Sequence, residues 1–179
     1  WSCMMPQKWD EAYDAFFKSA WNAAWQDAAY YALAQLDTRK GKYESALDKI
    51  DRSLIRNWHN HKARQLKTSI LRKLGRKEEA LALVAESLQI DRFNMGCRFE
   101  HYLLTRDVKV LEEMKELMRG WAHGYIEYAL DFAAAGLYEE ALSVLECHVT
   151  GTTEIYPVVY YAMGYFHTCK GDESKALEY

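Results

Sequence analysis

An alanine returns at a fixed interval along this chain: Ala12, Ala46 and Ala80 are thirty-four residues apart, and Ala141 and Ala176 follow. A period of that length specifies a stack of similar units, each too small to bury its own apolar face, rather than one core wound from unlike elements. Other residues hold the same phase: Gly41 with Gly75, Ser19 with Ser53 and Ser87, Leu54 with Leu88, and Asn60 with Asn94. Around each alanine the blocks read Lys8 to Ala12, Lys42 to Ala46, Arg76 to Ala80, Leu137 to Ala141 and Asp172 to Ala176, most of them preceded by glycine. Each unit thus predicts an apolar helix, a glycine turn, an acidic first helical turn and a second amphipathic helix. Glycine closes the first helix in a left-handed conformation, glutamates suit the positive end of the second, and alanine lets the two approach closely.

The order of residue types resembles the tetratricopeptide repeat. In the unit from Asp27 to Asn60, Tyr30, Leu33, Ala34, Gly41, Tyr43, Ala46, Ile50 and Ser53 fit that pattern, while Asp37 replaces an aromatic and Trp58 the closing proline. The unit from His61 to Asn94 keeps Leu71, Gly75, Ala80, Val84 and Ser87 but carries Arg64 and Lys67 in a helix that should be apolar. From Ala122 the match returns with Tyr125, Tyr128, Ala129, Phe132, Gly136, Tyr138, Ala141 and Leu145, and the last unit supplies Tyr160, Met163, Gly164, Gly171 and Ala176. The resemblance implies an all-α solenoid of stacked antiparallel helix hairpins, a right-handed superhelix of ten or eleven helices.

The expected organisation is one array over 1–179, with units at 1–26 (partial), 27–60, 61–94, 95–121, 122–156 and 157–179 (partial). The fourth unit is short: thirty-four residues beyond Ala80 stands Met114, yet Ala141 comes only twenty-seven later. Seven residues are nearly two helical turns, so their loss keeps the next helix facing the same way. We place the loss around Arg119 and Gly120, giving two short helices; the other reading makes Gly120 a domain boundary. The chain begins at Trp1 without methionine and stops within a second helix at Tyr179, which reads as a piece of a larger protein. Cytoplasmic residence is therefore a default expectation.

Chemistry is sparse. The cysteines Cys3, Cys97, Cys147 and Cys169 form no Cys-x-x-Cys pair, and His59 and His61 flank Asn60 without a third ligand, so neither a metal nor another cofactor is expected. There is no phosphate-cradling glycine loop, His-Glu-x-x-His or Gly-x-Ser-x-Gly, and Glu44, Glu79 and Glu140 sit where helix starts explain them. No catalytic residue is assigned, and no enzyme is expected in this segment. The longest apolar stretch, Tyr125 to Gly136, is broken by Glu127 and Asp131 and too short to span a bilayer. A net charge of −3 lacks the basic stripe of an RNA-reading helical array, so nucleic acid is not an expected partner.

Aromatics are abundant, with 6 Trp, 13 Tyr and 6 Phe. Tyr30, Tyr43, Tyr125, Tyr128, Tyr138 and Tyr160 fall on repeat packing positions, while Trp1 and Trp9 belong to the first edge and Trp58 to a loop. The resemblance further implies a concave wall lined by the first helix of each unit and used to bind a protein or peptide. Carried over, its positions are Tyr31, Gln35, Thr38 and Arg39, then Lys62, Gln65, Ser69, Arg72 and Lys73, a polar and basic half. His123, Ile126, Leu130 and Ala133, then Val158, Tyr161, Tyr165 and Thr168, form an apolar and aromatic half. Such a wall suits an extended segment with acidic and hydrophobic anchors, and reversing the charge of Arg72 and Lys73 should abolish capture without unfolding the chain. Gln35 and Ser69 stand where chaperone-tail binders carry an asparagine, which disfavours that ligand.

A narrower similarity, carried by Ala29 to Ala34, Leu71 to Gly75 and Phe132 to Gly136, is to the repeats of large bacterial proteins of unknown function with a mutarotase-like β-sandwich part. It implies an alternative role as the assembly or oligomerisation arm of a larger, carbohydrate-related enzyme, with self-association of the chain.

Overall fold

The computed structural model describes residues 8–179, so the expectations for Trp1 and Cys3 lie outside the described residues. Among these there are eleven α-helices and no strand: α1 Trp9–Ser19, α2 Gln26–Arg39, α3 Tyr43–Arg56, α4 His61–Lys73, α5 Lys77–Ile90, α6 Met95–Thr105, α7 Val108–Met118, α8 Ala122–Ala134, α9 Tyr138–Val149, α10 Pro157–Lys170 and α11 Glu173–Ala176. A short 3₁₀ turn, Ala23–Trp25, precedes α2. No helix among the described residues is long and apolar enough to cross a membrane.

The repeated sequence signals act where they were expected to act. Gly41, Gly75, Gly136 and Gly171 all take positive φ, between 71° and 80°. At the first of them the Lys42 amide donates to the Asp37 carbonyl and the Gly41 amide to Thr38, the paired bonds of a Schellman turn, and the same pair recurs at the other three. Asn60 and Asn94 keep the period because each caps a first helix, accepting from the Ala63 amide at 3.1 Å and the Cys97 amide at 3.0 Å. The phased alanines Ala46, Ala80 and Ala141 are all fully buried between paired helices. Glu44, Glu79 and Glu140 lie in the first turns of α3, α5 and α9, where carboxylates complement the helix dipole.

The chain divides into two compact units, the first running to Arg106 and the second starting at Asp107. The division falls inside the shortened repeat 95–121, between its two helices. In the first unit α2 pairs with α3 and α4 with α5, α3 packs on α4, and α6 rests on both α4 and α5. In the second, α8 pairs with α9, and α10 packs on α9, α8 and α11. The shortening is also shared between the helices rather than taken from the second alone, since α6 and α7 have 11 residues each against 13 or 14 in α2 to α5. The turn joining them has no glycine, and Arg106 is held left-handed at φ 59°.

Where the sequence departs from the repeat pattern, the first unit carries buried polar clusters. Asp37, 2% exposed, accepts a hydrogen bond from Ser45 at 2.7 Å and pairs with Lys49 at 2.8 Å. Burial works against the Lys49 charge, but the hydrogen bonds and charges of Asp37 and Tyr13 outweigh it and raise its pKa. Arg64 has no exposed surface; its Nε donates to Ser87 at 2.9 Å, its Nη2 lies 3.2 Å from Glu86, and its guanidinium sits 4.5 Å from the centre of the Trp58 ring. Partners on three sides are what permit a full charge at an interior position of α4.

Candidate functional site

In the first unit the expected wall residues separate into two groups. Tyr31 and Gln35 are half-buried on α2, with the Gln35 amide donating to the Tyr31 hydroxyl at 3.1 Å. Arg39 lies 4.6 Å over the Trp9 ring, which ties α1 to α2, and Thr38 is buried with its hydroxyl turned to the Ala34 carbonyl. Lys62 is exposed and Lys73 half-buried.

Gln65 and Ser69, by contrast, do not line a surface. They are 4% and 1% exposed because α6 lies across them. Gly96 permits this approach: a Cβ there would stand 1.9 Å from the Gln65 side-chain oxygen. Arg72 also has a structural role. Its Nε and Nη2 donate to the two carboxylate oxygens of Glu100 at 2.6 and 3.1 Å, and Ser69 donates to the same carboxylate at 2.7 Å. Glu100 is fully buried, so Arg72 is the counter-charge of an interior carboxylate. This corrects the expectation that its charge can be reversed without cost to folding. Cys97, in the same layer, is a buried thiol pushed up to about 11 by burial, against weaker opposing hydrogen bonds from Ser87 and Thr68.

In the second unit the expected residues come together as an open apolar face. Leu130 on α8 and Val158 and Tyr161 on α10 are 50%, 46% and 76% exposed, with Ile126 and Tyr165 half-buried among them and Ala133 buried beneath. Ile126 and Leu130 occupy the same phase in α8 as Tyr161 and Tyr165 in α10, thirty-five residues on. These two helices pack together, so the four side chains continue one stripe. Beside it α10 borders a hollow of about 390 Å³ lined by Pro157, Tyr160, Tyr161, Tyr165, Thr168 and Tyr179, with Gly164 and Ala176 at its base. The Tyr179 ring lies 6.4 Å from that of Tyr160 and stacks on His167 at 5.5 Å. No charged side chain lines the hollow. Ring faces with hydroxyl rims accept apolar or planar groups and offer no nucleophile with a base.

Tyr160, assigned to packing from the sequence, and Tyr179, given no role, complete this site. The sequence signal for Tyr160 is its four-residue spacing to Gly164 and Thr168 along one face of α10; Tyr179 enters only because α11 is a single short turn. Among the described residues no three His, Cys, Asp or Glu side chains gather as a metal site.

No family model matches the sequence, and no curated protein matches it. Solved structures do match. A tetratricopeptide repeat protein from Parabacteroides merdae is similar over 94% of this chain and 68% of its own, with a TM-score of 0.59 at 18% identity. YrrB, a TPR protein with an unusual peptide-binding site, is similar over 92% and 88%, with a TM-score of 0.51 at 19% identity. A thermophilic TPR protein from Thermus thermophilus covers 85% and 87% at a TM-score of 0.50, also 19% identical. The fold is that of the tetratricopeptide repeat proteins.

Proposed function

We propose that this chain is a non-catalytic protein-interaction module and that the α8–α10 face of its second unit is where a partner segment docks. The observation that carries the reading is the exposure of Leu130, Val158 and Tyr161 along one stripe beside a tyrosine-lined hollow, on helices whose opposite faces are buried normally. A Tyr 76% exposed on a well-packed helix contributes little to its own fold and much to an interface. On this reading the first unit acts as scaffold, held by its buried polar layer, and the expected basic anchor at Arg72 is withdrawn. YrrB, with its peptide-binding site, is a precedent for ligand binding on this fold.

The test is affinity capture with the chain, a Leu130→Ala/Tyr161→Ala variant and a Lys62→Ala control, compared by quantitative mass spectrometry. Proteins captured by the chain and the control but lost with the double variant are the expected result. Identical captures from all three would refute the assignment of this face. Sedimentation of the same proteins separates docking of a partner from docking of a second copy, the alternative assembly role.

A further inference from the structure

We infer that the segment docking on the second unit is cationic, not acidic: an apolar or aromatic anchor flanked by arginine or lysine. The inference rests on the assignment of the α8–α10 face given above and specifies what that face selects.

The argument begins with the division into units. Residues 107–179 carry 13 Asp and Glu against 5 Lys and Arg, while residues 1–106 carry 13 against 18. The net −3 of the whole chain therefore conceals a net of −8 in one unit and +5 in the other. An imbalance of this size sets the sign of the field an approaching partner meets. It persists at the docking face. Helix α8 has Glu127 and Asp131 as its only charged side chains apart from histidine, one residue on from Ile126 and Leu130, so a carboxylate stripe adjoins the apolar one. Glu127 is exposed. The sole Lys or Arg of α10 is Lys170, at its last turn, 3.4 Å from Glu139 on α9.

A glutamate-rich segment would thus meet Glu127, while the cations nearest the hollow, Lys170 and Lys175, each already lie within reach of a carboxylate, Glu139 and Asp172. An arginine beside an apolar anchor would meet the exposed Glu127 and tyrosine ring faces, which attract guanidinium both as π-systems and as flat surfaces. The hollow itself has no carboxylate, so the cation belongs at the α8 rim and the apolar anchor in the hollow.

The test is selection of random twelve-residue peptides displayed on phage against the whole chain, counter-selected on Tyr161→Ala/Tyr165→Ala. Enriched peptides should combine Arg or Lys with an apolar or aromatic residue. They should bind the double variant at least about tenfold more weakly and lose roughly two- to fivefold in affinity with Glu127→Gln. Peptides that are acidic or uncharged yet depend on Tyr161 and Tyr165 would overturn the charge inference and leave the docking face standing. Enrichment of peptides that bind the tyrosine variant equally well, or no enrichment, would overturn both.

Discussion

Replacing Arg72 by alanine should destabilise this protein far more than a partly exposed arginine on a helix ordinarily would. The Glu100 carboxylate has no solvent contact and is satisfied by Arg72 Nε at 2.6 Å, Arg72 Nη2 at 3.1 Å and the Ser69 hydroxyl at 2.7 Å. Arg72→Ala leaves that charge in the interior with one neutral donor. Removing one partner of a buried ion pair costs about 3–5 kcal/mol, because the remaining ion keeps its desolvation penalty without its counter-charge. In a cooperative unit of roughly a hundred residues this lowers the melting temperature by about 12–40 °C at about 4–8 °C per kcal/mol. Replacing both partners with apolar residues of similar length, Arg72→Met with Glu100→Met, should recover most of the loss, since no ion then stays buried. Urea denaturation followed by far-UV circular dichroism measures both. A loss below about 1 kcal/mol for Arg72→Ala, the range of a surface pair, or no recovery in the double variant, would refute the reasoning.

Other consequences follow from single features. Arg106 is left-handed at φ 59° where other hairpin turns have glycine, so Arg106→Gly should raise stability by about 0.5–1 kcal/mol in the same assay, and an unchanged or lower stability would refute this. His148 is buried between the rings of Tyr125 and Tyr156, its Nε2 without a hydrogen-bond partner, and burial lowers its pKa below the ordinary 6.5. The unfolded chain therefore takes up a proton first as pH falls through 6.5, and stability should decline there; His148→Phe should flatten the melting temperature against pH over that window. Cys97, fully buried with its thiol pushed up to about 11, should resist iodoacetamide in the native protein and react in urea, as peptide mapping by mass spectrometry would show.

Much of the fold was legible because the repeat states its geometry in residues whose conformational roles are narrow. Gly41, Gly75, Gly136 and Gly171 serve the left-handed turns, Asn60 and Asn94 the caps, and Ala46, Ala80 and Ala141 the close approaches. The illegible part lies where a side chain's environment comes from a helix distant in sequence. Arg72 reads as a surface cation until Glu100, twenty-eight residues later, is brought against it. Gln65 and Ser69 read as wall residues until α6 covers them, a placement made possible by Gly96. Arg64 looked like a flaw in the pattern and is the largest of the fully buried side chains. The apolar half was readable because Ile126, Leu130, Tyr161 and Tyr165 share a phase that the packing positions do not use. Its hollow was not, because Tyr179 reaches it only through the brief α11.

The most direct test of the docking account is a chemical-shift map of the isotopically labelled chain with a peptide enriched in the selection described above. The account predicts perturbations concentrated on α8 and α10, with the largest at Leu130, Tyr161, Tyr165 and Thr168, and little change in α3 to α5. Perturbations centred on Lys62, Lys73 and the first unit instead, with α10 unmoved, would contradict it.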